Sequence, residues 1–114
     1  MEMRFEYIQG VLVAHVQMFL DRVGAENFKY VLGERMKVGE KIVLDLEKLV
    51  NIDSYGLDAL LAMAQKALEN DSLIKLAGVS ADMKIVLDIT KVYRVFEIYP
   101  TIEEAVASCK EEKV

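Results

Sequence analysis

The chain has 114 residues, 14 basic and 19 acidic, for a formal net charge of −5; 54% of it is hydrophobic, 29% is charged and one residue is proline. This is material for one domain with a real core over residues 1–114, and it excludes a disordered tail, which would be poorer in Val, Leu and Ile. The single Cys109 excludes a disulfide scaffold within the chain, and the acidic balance argues against nucleic acid as a partner, since that needs a basic face.

The first six residues, Met1 to Glu6, are mixed and charged, unlike a basic run followed by an apolar one. No apolar run approaches the roughly 20 residues that cross a bilayer, and a lone thiol suits a reducing compartment. The expectation is a cytoplasmic protein with no membrane insertion. Its six Met residues read as core filler.

Arg4–Ile8 and Val11–Gln17 read as strands joined by Gln9-Gly10. Met3, Phe5 and Tyr7 alternate with Arg4 and Glu6, as in a half-buried hairpin at a sheet edge. From about Leu20 to Met36 the period becomes helical, with Phe28, Val31, Leu32 and Met36 on one face. Lys41–Leu46 is a nearly continuous apolar run, the pattern of a central strand covered on both sides. After a short loop comes Asn51–Gly56, and then Leu57, Leu60, Leu61, Ala64 and Leu68 form the clearest helical stripe of the chain. Leu73–Ala77 is another apolar strand. Ser80 opens a helix with Met83, Val86 and Leu87 inward, and Val95–Ile98 is a short last strand. Thr101 and Glu104 make a capping box for a final helix whose buried face holds Ile102, Ala105, Val106 and Cys109. The order β-β-α-β-α-β-α-β-α implies an α/β fold, a mixed sheet with helices packed against it.

Enzyme constellations are poorly represented. His15 is the lone histidine and falls in a strand, where it reads as a satisfied structural side chain. One His and one Cys without clustered spacing make no metal site. Gly33 and Gly39 read as turn residues, with no phosphate-cradling loop. Neither a cofactor nor a metal is expected, and the chain reads as a non-enzyme.

Asp53-Ser54-Tyr55-Gly56-Leu57 lies where the buried strand region gives way to the clearest helix. Rigid elements on both sides suit such a loop to function. Ser54 can act as an N-cap, its hydroxyl accepting from a free backbone N–H. A hydroxyl at a helix start is also a good phosphoacceptor, because the product phosphate meets free N–H groups at the positive end of the dipole.

The run Lys41-Ile-Val-Leu-Asp-Leu, followed by Leu49-Val-Asn-Ile-Asp-Ser-Tyr-Gly-Leu57, resembles the signature of STAS domains, among them the bacterial anti-sigma factor antagonists. The usual pattern is a hydrophobic strand ending in Asp-Leu, then a hydrophobic-Asp-Ser-Ser-Gly-Leu turn. The resemblance continues through Leu76–Ser80, Val86–Thr90 and Val95–Ile98, and Asp21 after Leu20 falls where the family often has an early Leu-Asp. Tyr55 stands in place of the second small residue, and Met18-Phe19 in place of a Gly-Glu pair. These changes put bulky groups near the expected partner surface.

The resemblance implies the STAS fold and an anti-sigma factor antagonist. Unphosphorylated, such a protein binds an anti-sigma factor that doubles as a serine kinase and so releases a sigma factor; phosphorylation at Ser54 turns it off and a phosphatase resets it. On this expectation Ser54 is the phosphoacceptor, Asp53 positions the loop or the incoming hydroxyl, and Asp21, Tyr55, Gly56 and Asp58 join Asp53 at the partner surface. Gly56 serves equally as the small residue of a tight turn. Leu57 is core, and Phe19 is either an exposed anchor or core. A phosphate adds about −1.5 to −2 charge beside Asp53 and Asp58, and a partner packed there must desolvate it with no cation prepared for it. The expected assembly is a monomer or a weak homodimer. Two alternatives keep the domain and change its job: a stand-alone STAS subunit regulating an ABC transporter ATPase without phosphorylation, and a small enzyme or carrier with a polar pocket near His15 or Ser54.

Overall fold

Gln9 and Gly10 both take positive φ, 50° and 83°. Two left-handed residues in succession are what a two-residue hairpin turn matched to strand twist requires, and glycine adopts that conformation without a Cβ clash. The turn sets the antiparallel register of β1 (Glu2–Ile8) on β2 (Val11–Leu20), with Ile8 opposite Val11 and Arg4 opposite His15. The computed structural model describes residues 2–111, apart from the side chains of residues 2 and 18–20. The reading of Met18 and Phe19 as bulky groups at the partner surface, and of Phe19 as anchor or core, therefore lies outside the described residues.

The remaining elements are α1 (Arg22–Arg35), β3 (Lys41–Asp45), β4 (Leu49–Ile52), α2 (Ser54–Glu69), β5 (Leu73–Ala77), α3 (Ala81–Ile89), a 3-10 turn over Val92–Arg94, β6 (Ile98–Tyr99) and α4 (Ile102–Glu111). The sheet runs β1-β2-β3-β5-β6, antiparallel at the β1 edge and parallel elsewhere, so the expected mixed α/β sheet is present. Its two faces bury separate cores. Leu12, Ala14, Val16, Ile42, Leu44 and Leu76 pack in one cluster with Phe28 and Leu32 of α1, Leu60 and Met63 of α2, and Met83 and Leu87 of α3. Val11, Val13, Val43 and Ala77 pack on the other face against Ala105, Val106 and the buried thiol of Cys109 from α4.

Four expectations need correction. First, β4 is a strand, not a loop. The long β2 outruns β3, pairing first with β3 (Leu12–His15) and then, after a register shift at Met18/Phe19, with β4. Leu49 and Ile52 are buried while Val50 and Asn51 are exposed, so this four-residue strand has no clean alternation to read. Second, the last strand is Ile98–Tyr99 and not Val95–Ile98, because Val95 closes the 3-10 turn over Val92–Arg94 in a helical conformation. Third, the face of α2 is rotated: Gly56, Ala59, Leu60, Met63 and Ala67 are buried, Leu57 and Ala64 pack at its margin, and Leu61 and Leu68 are exposed at 38% and 73%. Small residues let α2 lie close to the sheet and to α1, so the bulkiest side chains do not mark the buried side. Fourth, Gly33 lies within α1 and not in a turn; a Cβ there would meet only the flexible end of the Lys66 side chain of α2, Nζ at 3.1 Å.

Candidate functional site

β2 and β4 are parallel neighbours with Leu20 opposite Ile52. Both chains leave the sheet at the same level and in the same way. Asp21 caps α1, its Oδ1 accepting from the Gly24 N–H at 2.9 Å, and Asp53 caps α2, its Oδ1 accepting from the Gly56 N–H at 3.1 Å. The carbonyls of the same two residues accept from Ala25 and Leu57. The segments Asp21-Arg22-Val23-Gly24 and Asp53-Ser54-Tyr55-Gly56 thus form twin helix starts, each with a buried glycine at the third helical position.

The twin arrangement fixes the role of each candidate. Asp53 holds the cap, not Ser54, because its carboxylate reaches the third N–H from the non-helical position that capping demands. Ser54 is the first residue of α2, exposed, and its hydroxyl makes no hydrogen bond among the described residues. The first N–H groups of a helix have no partner within it; at this start Gly56 and Leu57 give theirs to Asp53. Tyr55 is 51% exposed. Asp58, one turn on, is exposed, as is Asp21. Gly56 is buried with its N–H given to Asp53, which makes it part of the turn and not of the surface. Asp21, Asp53, Ser54, Tyr55 and Asp58 are brought to one end of the molecule.

Sequence reasoning missed one member of this group. The guanidinium of Arg22, the first residue of α1, lies 5.9 Å from the centroid of the Tyr55 ring, within cation–π range. Among the described residues it makes no salt bridge. Arg22 thus places on this surface a cation that the reading of the sequence did not single out. The signal was present in the order Leu20-Asp21-Arg22 against Ile52-Asp53-Ser54, but only the pairing of β2 with β4 aligns them.

A second polar cluster lies on the α4 side of the sheet. His15 Nδ1 is 2.6 Å from Asp45 Oδ2 and Nε2 is 2.5 Å from Glu6 Oε2. The three sit on neighbouring strands, beside a cleft of about 200 Å³ bordered by Arg4, Gln17 and Lys48. Both ring nitrogens are engaged by carboxylates, which leaves neither for a substrate and matches the structural reading of His15. Lys75, 3% exposed in β5, donates to Ser108 Oγ and contacts Glu97 Oε2, each at 3.0 Å. A hydrogen bond from the Tyr99 hydroxyl (2.6 Å), and then the Lys75 ammonium, hold the Glu97 carboxyl below its ordinary value. Among the described residues no group of His, Cys, Asp and Glu is arranged to hold a metal, and no helix is long and apolar enough to cross a membrane.

Comparison with known proteins agrees with this architecture. The family model of the STAS domain matches residues 2–105, and the chain belongs to that family. Among individual proteins, it is 27% identical over 111 residues to the putative anti-sigma factor antagonist BtrV of Bordetella bronchiseptica, covering 96% of each chain. The crystal structure of an anti-sigma factor antagonist from Mycobacterium paratuberculosis superposes with a TM-score of 0.87 at 22% identity, over 96% of this chain and 94% of that one. The anti-sigma factor antagonist SpoIIAA in its unphosphorylated form superposes with a TM-score of 0.79 at 16% identity, over 99% and 100% of the two chains. At these identities the superpositions establish the fold.

Proposed function

We propose that this STAS domain is an anti-sigma factor antagonist whose docking is switched by phosphorylation of Ser54. The observation that carries the proposal is the exposed, unbonded hydroxyl at the first position of α2, set beside a capping carboxylate that leaves it unoccupied. The name of the Bordetella relative supports the class of partner. In the active form the surface around Asp21, Tyr55 and Asp58 docks on an anti-sigma factor, which then releases its sigma factor. The anti-sigma factor acts as the kinase: the Ser54 oxygen attacks the γ-phosphorus of ATP, the new O–P bond forms as the bond to ADP breaks, and the hydroxyl proton passes to a base of the kinase and on to solvent. A phosphatase restores the hydroxyl by hydrolysis, with inorganic phosphate leaving. The chain is a binding module and a kinase substrate, and turns nothing over itself.

Phosphate at this position does not disturb the fold, since an anion at a helix N-terminus is favoured by about 0.3–1 kcal/mol. Its effect falls on the interface. Burying a dianion that the partner does not pair costs several kcal/mol, and about 2.7 kcal/mol suffices to weaken binding 100-fold. Titration calorimetry of the parent, S54A and S54D against a candidate anti-sigma factor from the same organism tests the reading. The parent and S54A bind alike and S54D binds more weakly; S54D binding as tightly as the parent contradicts it.

A further inference from the structure

Arg22 and Ser54 occupy equivalent positions. Each is the first helical residue after a capping aspartate, and each follows one member of the Leu20–Ile52 pair of adjacent parallel strands. Neighbouring strands lie about 4.8 Å apart, so the two helix starts spring from adjacent points at the Leu20–Ile52 pair. The guanidinium already extends toward α2, over the ring of the residue next to Ser54. Its contact with that ring is weak and exposed, whereas a phosphate offers the fork of an arginine two parallel charge-assisted hydrogen bonds. No described carboxylate holds it back.

We propose that Arg22 reads the phosphorylation state of Ser54: the guanidinium rests on Tyr55 while the hydroxyl is bare and moves onto the phosphate oxygens once phosphate is attached. This rests on the reading of Ser54 as the phosphoacceptor. The modification then alters the docking surface twice. It adds negative charge at Ser54, and it strips Tyr55 of the cation that lies along its ring. Arg22 is a positioning residue; it touches neither ATP nor the reacting atoms in the unmodified chain.

The test uses the full chain with phosphoserine installed genetically at position 54 and follows the phosphate by 31P NMR across its second ionisation. Asp21, Asp53 and Asp58 face the phosphate in every variant, so their repulsion is common to all. Pairing with Arg22 favours the dianion, so the midpoint of the R22Q variant lies above that of the parent by about 0.3–0.5 pH unit. R22K, which keeps the charge without the fork, falls between the two, and K91Q, at the far end of α3, matches the parent. Equal midpoints for the parent and R22Q overturn the proposal, as does a shift in K91Q as large as that in R22Q. No kinase takes part, so this outcome is separate from whether an anti-sigma factor phosphorylates Ser54.

Discussion

At Asp53 and Ser54, two neighbouring residues divide the jobs of capping a helix and presenting a hydroxyl. Either residue type can cap, so composition alone does not assign the roles; the carboxylate wins because it sits one residue earlier, in the extended conformation from which an oxygen reaches back to the Gly56 N–H. D53A is therefore expected to lose about 0.5–2 kcal/mol of stability, while S54A stays within about 0.5 kcal/mol of the parent; urea unfolding of the two variants measures both. Glu97 supplies a prediction in pH. Its carboxyl is held low in the folded chain by Tyr99 and Lys75. The unfolded chain binds that proton more readily, so the stabilisation is present above the ordinary glutamate range and is lost as pH falls through the lowered value. Melting curves of E97Q and the parent should converge in acid and separate toward neutrality; a gap independent of pH would show that Glu97 is not responsible.

The helix α2 shows what hydrophobic spacing conveys and what it does not. The spacing of Leu57, Leu60, Leu61, Ala64 and Leu68 locates the helix correctly, and Leu60 is fully buried. The burial of Gly56, Ala59 and Ala67 is hidden in residues small enough to be read as neutral, and Met63 lies outside the leucine spacing. L60A should cost about 2–5 kcal/mol by removing core contacts, whereas L68A, at an exposed position, should fall within about 0.5 kcal/mol; equal losses in denaturant titrations would contradict the observed face. The hairpin, α1, β3, β5, α3 and α4 are legible for the same reason as α2: their apolar periods match the geometry of their elements. β4 is not, because two exposed residues separate its two buried ones and only the overhang of β2 gives it a partner. Nor is the Glu6–His15–Asp45 cluster, whose members meet through strand register across three strands. His15 joins β1 to β3 across β2, and H15A, leaving two carboxylates without their shared partner, should cost about 1–3 kcal/mol, read as a lowered urea midpoint.

Over the whole molecule, the sheet separates a structural side from a working end. On the second face His15 and Lys75 are held in charge pairs with their carboxylates, Lys75 also against α4 through Ser108. The helix starts at the far ends of β2 and β4 gather the exposed chemistry instead, with Ser54, Tyr55, Asp58, Asp21 and Arg22 within one region. The candidate site was legible as a segment because Asp53–Leu57 carries the family motif. Its second strand-to-helix corner at Asp21-Arg22 was half legible, through Asp21 alone, because the resemblance marks an acidic residue there and says nothing of the arginine that follows. On this proposal docking is switched at the Ser54 hydroxyl oxygen, and intact-mass spectrometry after incubation with ATP and a candidate anti-sigma factor from the same organism decides it. The parent should gain a single phosphate and S54A none; an unmodified parent, or an S54A chain that takes up phosphate as readily as the parent, contradicts the account.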